Sequence, residues 1–241
     1  MTVSYDGSKY HGYQKQPDMT SVQEKLEIIL TAINSNNFVS ISASGRTDSG
    51  VHALNQKIHF DLDKSLDVDK LKYSINKMLP SSIYVKNIDK VSDDFHARFN
   101  VKRKEYTYKI NLGEYNPIEC EYVYQYNNIL DIEKMKEASK YFLGEHNFKS
   151  YTKGCEDKES YTRTIYDIKL EQNNDILSII FVGSGFLRYM VRNMVGTLIE
   201  VGEKKMEPKF IQQIIEAEDR KESGICAPAC GLYLSNVYYE D

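Results

Sequence analysis

The sequence predicts an α+β protein whose two halves each follow the order β-α-β-β-α-β, a ferredoxin-like unit. Two observations predict it. Apolar residues recur with the strand period in some segments and at helical i, i+3, i+4 spacing in others, and the two kinds alternate along the whole chain. Capping residues, prolines and Asn/Gly turns mark the joins between them. The element order places a boundary near residue 100, giving an N-terminal subdomain over 1–100 and a C-terminal one over 101–241. No stretch of sequence repeats between the halves, so the likeness is one of element order alone.

Taken in order, Val3 and Tyr5 mark a short first strand. Ser21 with Glu24 forms a capping box, and Val22, Leu26, Ile29, Leu30 and Ile33 follow at helical spacing. Phe38 to Ile41 reads as a strand running into a glycine-flanked loop, and Ile58, Phe60 and Leu62 alternate with polar residues in a strand leaving it. Asp67 to Leu79 is an amphipathic helix stopped by Pro80, and Ile83-Tyr84-Val85 begins another strand. In the second half Tyr106, Tyr108, Ile110 and Leu112 share one face of a strand. Asp131 caps a helix ending near Gly144, and Ile165–Leu170 and Ile176–Val182 pair around the turn Asn173-Asn174-Asp175. A long helix is expected from Phe186 to Val201, closed by Gly202. Phe210, Ile211, Ile214 and Ile215 mark one more helix, and Leu232 to Tyr239 a final strand. Segments 113–130 and 145–163 are the long irregular stretches, where function often resides.

With 41% hydrophobic and 27% charged residues, the 241-residue chain has the make-up of a soluble globular protein able to bury a sizeable core. No apolar run approaches the length of a membrane span. Thr2-Val3-Ser4-Tyr5 starts a strand with no basic-then-apolar leader, and Cys120, Cys155, Cys226 and Cys230 form no disulfide framework. Both point to the reducing cytoplasm. Cys226 and Cys230, with Pro228 between them, are not read as a metal site, and no cofactor-binding loop is visible. The net charge is −4, but cations gather locally: Arg98, Lys102, Arg103, Lys104 and Lys109 in one set, Lys149, Lys153, Lys158 and Arg163 in a looser one. The acids cluster elsewhere, in Asp61/Asp63, Asp67/Asp69 and Glu216/Glu218/Asp219, so a polarised surface suited to phosphate contacts is expected.

The most informative segment is Ser44-Gly45-Arg46-Thr47-Asp48-Ser49-Gly50-Val51-His52-Ala53. Glycines on both sides of Asp48 allow a tight turn and close approach of a ligand. An ionised Asp there can serve as nucleophile, general base or metal ligand, or simply hold the turn by an Asx hydrogen bond. Arg46 can neutralise it or reach a phosphate. The whole string closely resembles the catalytic motif of the tRNA pseudouridine synthase A family. Further blocks resemble that family in the same order: Tyr5-Asp6-Gly7-Ser8-Lys9-Tyr10-His11-Gly12, Ser21-Val22-Gln23-Glu24, Asp94-Phe95-His96-Ala97-Arg98-Phe99, Phe186 to Gly196, and Ala227 to Leu234.

The resemblance implies the pseudouridine synthase fold, with two ferredoxin-like subdomains whose sheets meet at a central cleft. It also implies isomerisation of uridine to pseudouridine at positions 38, 39 and 40 of the tRNA anticodon stem-loop, without cofactor, by a homodimer. Asp48 matches the catalytic aspartate; whether it adds to the base, attacks the ribose carbon or takes a ribose proton stays open. Arg192 matches the arginine that pairs with it and opposes the rise in pKa that burial imposes. Arg188, four residues earlier, is expected on the same helix face. Tyr106 matches the tyrosine that contacts the target base, although an apolar strand face is also where core tyrosines sit. Arg46 matches the residue that fills the gap left by a flipped base, with a salt bridge to Asp48 as its competing role. Tyr13 stands where many members carry tryptophan. Two rivals keep the fold but change the function: a paralogue modifying ribosomal RNA, and a non-catalytic RNA-binding protein. A nucleoside hydrolase is more distant, because Asp48 has no close acidic partner in sequence.

Overall fold

The computed structural model describes residues 1–153 and 160–240, so Cys155 and Lys158 lie outside the described residues. The chain forms two compact units, Met1–Lys102 with Tyr233–Asp241, and Arg103–Leu232.

In the first unit the order is β1 (Thr2–Tyr5), α1 (Val22–Ile33), β2 (Ser42–Ala43), β3 (His52–His59), α2 (Val68–Met78) and β4 (Ile83–Asn87). Helix α1 begins where the capping box predicts: the Ser21 Oγ accepts from the Glu24 N–H at 3.3 Å. Asp67 caps α2 in the same way through the Lys70 N–H at 2.9 Å, and the helix stops one residue before Leu79-Pro80. The sheet runs β4-β1-β3 antiparallel, with β2 on β3 and the last strand, β10 (Leu232–Tyr238), lying parallel to β3 through Tyr233↔His52 and Leu234↔Ala53. Val3, Leu26, Leu30, Ile75 and Val85 are wholly buried in its core. Each such side chain contributes about 1.5–3 kcal/mol relative to exposure.

The second unit contains β5 (Arg103–Asn111), β6 (Tyr124–Gln125), α3 (Ile132–Ser139), β7 (Gly144–Asn147), β8 (Thr162–Asn173), β9 (Ile176–Gly183), α4 (Met190–Gly202) and α5 (Phe210–Ala217). Its strands follow the order β5-β9-β8-β7, with β6 against β5. The alternation read in β5 is the packing one: Tyr106, Tyr108 and Ile110 are buried and stand opposite Phe181, Ile179 and Leu177 of β9. The β8–β9 hairpin turns at Asn174, whose φ of 51° is left-handed, a conformation Asn tolerates.

Four expectations need correction. Phe38–Ile41 is not a strand; only Ser42–Ala43 pairs. Its N–H groups go instead to side chains of α1, Val39 to the Thr31 Oγ1 at 3.1 Å and Ile41 to the Glu27 Oε1 at 3.5 Å. Strand β3 ends at His59, before Phe60 and Leu62. Helix α4 starts at Met190 rather than Phe186, because Tyr189 has a left-handed φ of 62° and interrupts any earlier turn. The residues of the final strand, expected in the C-terminal subdomain, cluster with the first unit, because their partner in that unit is β3, a pairing between segments far apart in sequence.

Candidate active site

The loop between β2 and β3 carries Arg46 and Asp48, and its backbone is held by neighbours that sequence order hides. The Tyr5 hydroxyl and the Thr47 Oγ1 share a hydrogen bond of 2.9 Å, both groups buried. Burial raises the Tyr5 pKa far above its ordinary value, so the phenol stays neutral. The Thr47 carbonyl accepts from the Tyr13 N–H at 3.2 Å, the Tyr10 carbonyl from Gly50 at 3.4 Å, and the Asp48 carbonyl from Val51 at 3.1 Å. Gln56 donates to the Gly45 carbonyl at 2.8 Å, and Ser44 donates to Gln56. Gly12, at φ 95°, lies so close that an added Cβ would stand 2.9 Å from the Thr47 oxygen. Gly50 turns the chain at φ 78°. Thr47 is therefore clamped inside, Asp48 is half-buried beside it, and Arg46 is exposed.

The loop's far end is fixed by His52, only 2% exposed. The Gly7 N–H donates to its Nδ1 at 3.1 Å. The Asp6 carboxylate lies 3.4 Å from that same Nδ1. The imidazole stacks on Tyr233 of β10 with centroids 4.7 Å apart. At Gly7, a side chain would collide with the Val51 carbonyl, so this close approach needs glycine.

In the second unit Arg192 emerges from α4, a helix whose other residues are nearly all buried. Its Nε donates to the Ala227 carbonyl at 2.7 Å, while the Ala227 N–H returns a bond to the Arg192 carbonyl at 3.1 Å. The guanidinium also lies 5.3 Å from the centre of the Tyr189 ring. Arg188 precedes the helix and does not share its face; its guanidinium lies 4.9 Å from the same Tyr189 ring. The seat beneath Arg192 is rigid. Thr197 donates to the Asn193 carbonyl and accepts from the Gly224 N–H, both at 3.0 Å, and Asn193 bonds the Tyr151 carbonyl and Arg220. Tyr106, 8% exposed on β5, meets Phe186 edge-on at 5.1 Å.

Arg46 and Asp48 thus stand together on one loop of the first unit, and Tyr106 and Arg192 both belong to the second. Thr47, Tyr5, Gly12, His52, Tyr189 and Ala227 are the supports that sequence reasoning missed. Tyr5, Gly12 and Ala227 are well separated in sequence from the residue they hold, whereas Thr47, His52 and Tyr189 are near neighbours. The only signal for them was membership in the quoted blocks.

A family model described as tRNA pseudouridine synthase matches residues 1–100 and 138–240. The chain belongs to the tRNA pseudouridine synthase family. It is 42% identical over 241 residues to tRNA pseudouridine synthase A 1 of Bacillus cereus, covering 100% of this chain and 98% of that one. The tRNA pseudouridine synthase A of a Geobacillus species is 41% identical, with 100% and 97% covered. That of Streptococcus agalactiae serotype Ia is 41% identical over 242 residues, with 99% and 94% covered. Among solved structures, a Cbf5-Nop10-Gar1 complex aligns over 83% of this chain and 54% of that one at 11% identity and a TM-score of 0.35, too remote to add to the argument. No helix among the described residues is long and apolar enough to cross a membrane.

Proposed function

We propose that this protein isomerises uridine to pseudouridine in tRNA, at positions 38, 39 and 40 of the anticodon stem-loop, as a cytoplasmic homodimer. What carries the reading is the end-to-end likeness, at 42% identity, to a relative named for tRNA pseudouridine synthesis. The half-buried Asp48 on its clamped loop supplies a carboxylate suited to that chemistry. The reaction breaks the bond from ribose to the base nitrogen and makes one to carbon 5 of the same uracil. Atoms and oxidation state are conserved, so no cofactor is called for.

Asp48 is the catalytic residue in this reading. Tyr106, Arg46 and Arg192 bind substrate: Tyr106 contacts the target base, and Arg46, exposed at the loop tip, fills the stack that the flipped uridine leaves. Arg192, already oriented by Ala227 and Tyr189, contributes its charge at the bound uridine. Its replacement by Ala lowers turnover much more than tRNA affinity; equal losses would make it a phosphate contact. The deciding experiment is carbodiimide–primer extension on unmodified tRNA and ribosomal RNA transcripts, with Asp48→Ala alongside. Stops at 38 to 40 in tRNA that vanish with the variant support the reading, whereas stops only in ribosomal RNA overturn the choice of substrate.

A further inference from the structure

We propose that the turn from Phe95 to Asn100 is a stacking platform for an unpaired RNA base. In it Phe99 is the surface on which the base lies, and Arg98 is the cation for an adjoining phosphate. The inference rests on the tRNA reading above and adds a contact outside the four residues assigned there.

A single exposed apolar side chain is ordinary. What sets Phe99 apart is how it is presented. The residue is 75% exposed, yet its ring is stacked on the imidazole of His96, with centroids 4.2 Å apart and planes inclined by 28°. The Arg98 guanidinium lies 5.7 Å from the same ring centre. Ile118 and Ile129 are more exposed still, at 83% and 89%, but they are aliphatic and offer no π-face.

The turn is over-determined. His96 Nδ1 accepts from the N–H groups of both Arg98 and Phe99, at 3.1 and 3.3 Å. The Asn100 side chain accepts from the His96 N–H at 2.5 Å, and the Asn100 N–H donates to the His96 carbonyl at 3.1 Å. Between the outward residues Ala97 is fully buried; its N–H donates to His59 Nδ1 at 3.1 Å and its carbonyl accepts from the Tyr239 hydroxyl at 2.7 Å. Phe95 packs on Tyr239 and His59, and His59 on His96. These contacts hold Arg98 and Phe99 outward before any partner arrives, which removes the ordering cost of binding.

The chemistry selects a nucleobase over a protein surface. Phe99 by itself offers one ring, far short of the roughly 1,200 Å² that a stable protein interface buries. A ring backed by a second aromatic plane and flanked by a guanidinium matches a base with its phosphate. Exposed Lys102 adds charge of the right sign, while the exposed acids Asp93 and Asp94 lie on the other side of the turn in sequence. The attraction is therefore local to Arg98 and Lys102, not a property of the whole acidic chain.

The chain has no tryptophan, so Phe99→Trp makes a single reporter at the platform. Its emission should be quenched as unmodified tRNA transcript is added, saturating where pseudouridine formation saturates. Phe99→Ala should weaken tRNA binding by about 10- to 100-fold, within the range for loss of one stacked base, with turnover at saturating tRNA retained. Phe99→Tyr should restore binding and Phe99→Leu should not, with melting temperatures unchanged throughout. Unquenched tryptophan at saturating tRNA, or full affinity in Phe99→Leu, overturns the platform. So does a change of molar mass in Phe99→Ala by light scattering, which would give the face to a second copy of the chain. Wild-type protein that makes no pseudouridine in the same tRNA overturns the proposed function; wild-type activity beside undiminished binding by Phe99→Ala overturns the platform alone.

Discussion

In the first unit Asp48 sits on a loop with little regular structure, pinned by scattered bonds to Tyr5, Tyr10, Tyr13 and Gln56. In the second, Arg192 rises from a helix buried on almost every side, and its guanidinium meets the Ala227 carbonyl and the Tyr189 ring. The loop gets its position from close glycine approaches and scattered bonds, the helix from packing on almost every side with a close glycine approach of its own at Gly196. The difference teaches where each is fragile: a change under the loop should move the Asp48 carboxylate while sparing the core, and a change under the helix should cost stability first.

The largest effect that sharpens this contrast is Asp48→Asn. It should lower pseudouridine formation by about 10³-fold or more while leaving the melting temperature close to wild type, measured on one preparation. Gly196→Ala should do the reverse. Glycine to alanine inside a helix ordinarily gains about 1 kcal/mol. Here the new methyl would collide with the Ile225 carbonyl, so we expect a loss of about 3 kcal/mol in urea unfolding. Smaller is Thr47→Val, which removes one of the two side-chain hydrogen bonds of the buried Tyr5 hydroxyl, leaving Gln56, and should cost about 1 kcal/mol together with some activity.

A pH effect separates the units further. Burial, and secondarily His96, lower the pKa of His59, whose Nδ1 must stay unprotonated to accept from Ala97. Because the folded value lies below the unfolded one, its stabilisation is complete above about pH 6.5 and is lost as pH falls through the folded pKa. Thermal melts should show a downward slope below that pH, and His59→Gln should flatten it. The smallest effect is Tyr13→Phe. Among the described residues the buried Tyr13 hydroxyl has no hydrogen-bond partner, so removing it should leave stability unchanged or raise it by up to about 1 kcal/mol.

Much of the fold was legible because its signals are local. Ser21 with Glu24, Asp67 with Pro80, and the alternation in Tyr106, Tyr108 and Ile110 act within one element, and the structure obeys each. What misled lay outside the element concerned. Phe38–Ile41 has the composition of a strand, but its N–H groups are taken by Thr31 and Glu27 of the preceding helix. Phe186–Tyr189 has helical spacing, but the left-handed Tyr189 delays the start of α4 and separates Arg188 from Arg192. The site divides in the same way. Arg46 and Asp48 announce themselves by their glycines, whereas the clamp through Tyr5 joins residues 42 positions apart, which no local pattern encodes.

The parallel pairing of β3 with β10 carries a consequence in time. His52 and Ala53, at the end of the Asp48 loop, find their strand partners in Tyr233 and Leu234, and the Asn55–Ser235 bond beside them spans 180 residues. At about 5–20 residues per second on the ribosome, the Asp48 loop waits roughly ten to forty seconds for this strand partner to be made. A nascent chain would therefore expose the motif well before the sheet beneath it is finished. The finished sheet would require that the chain be made at least through Ser235.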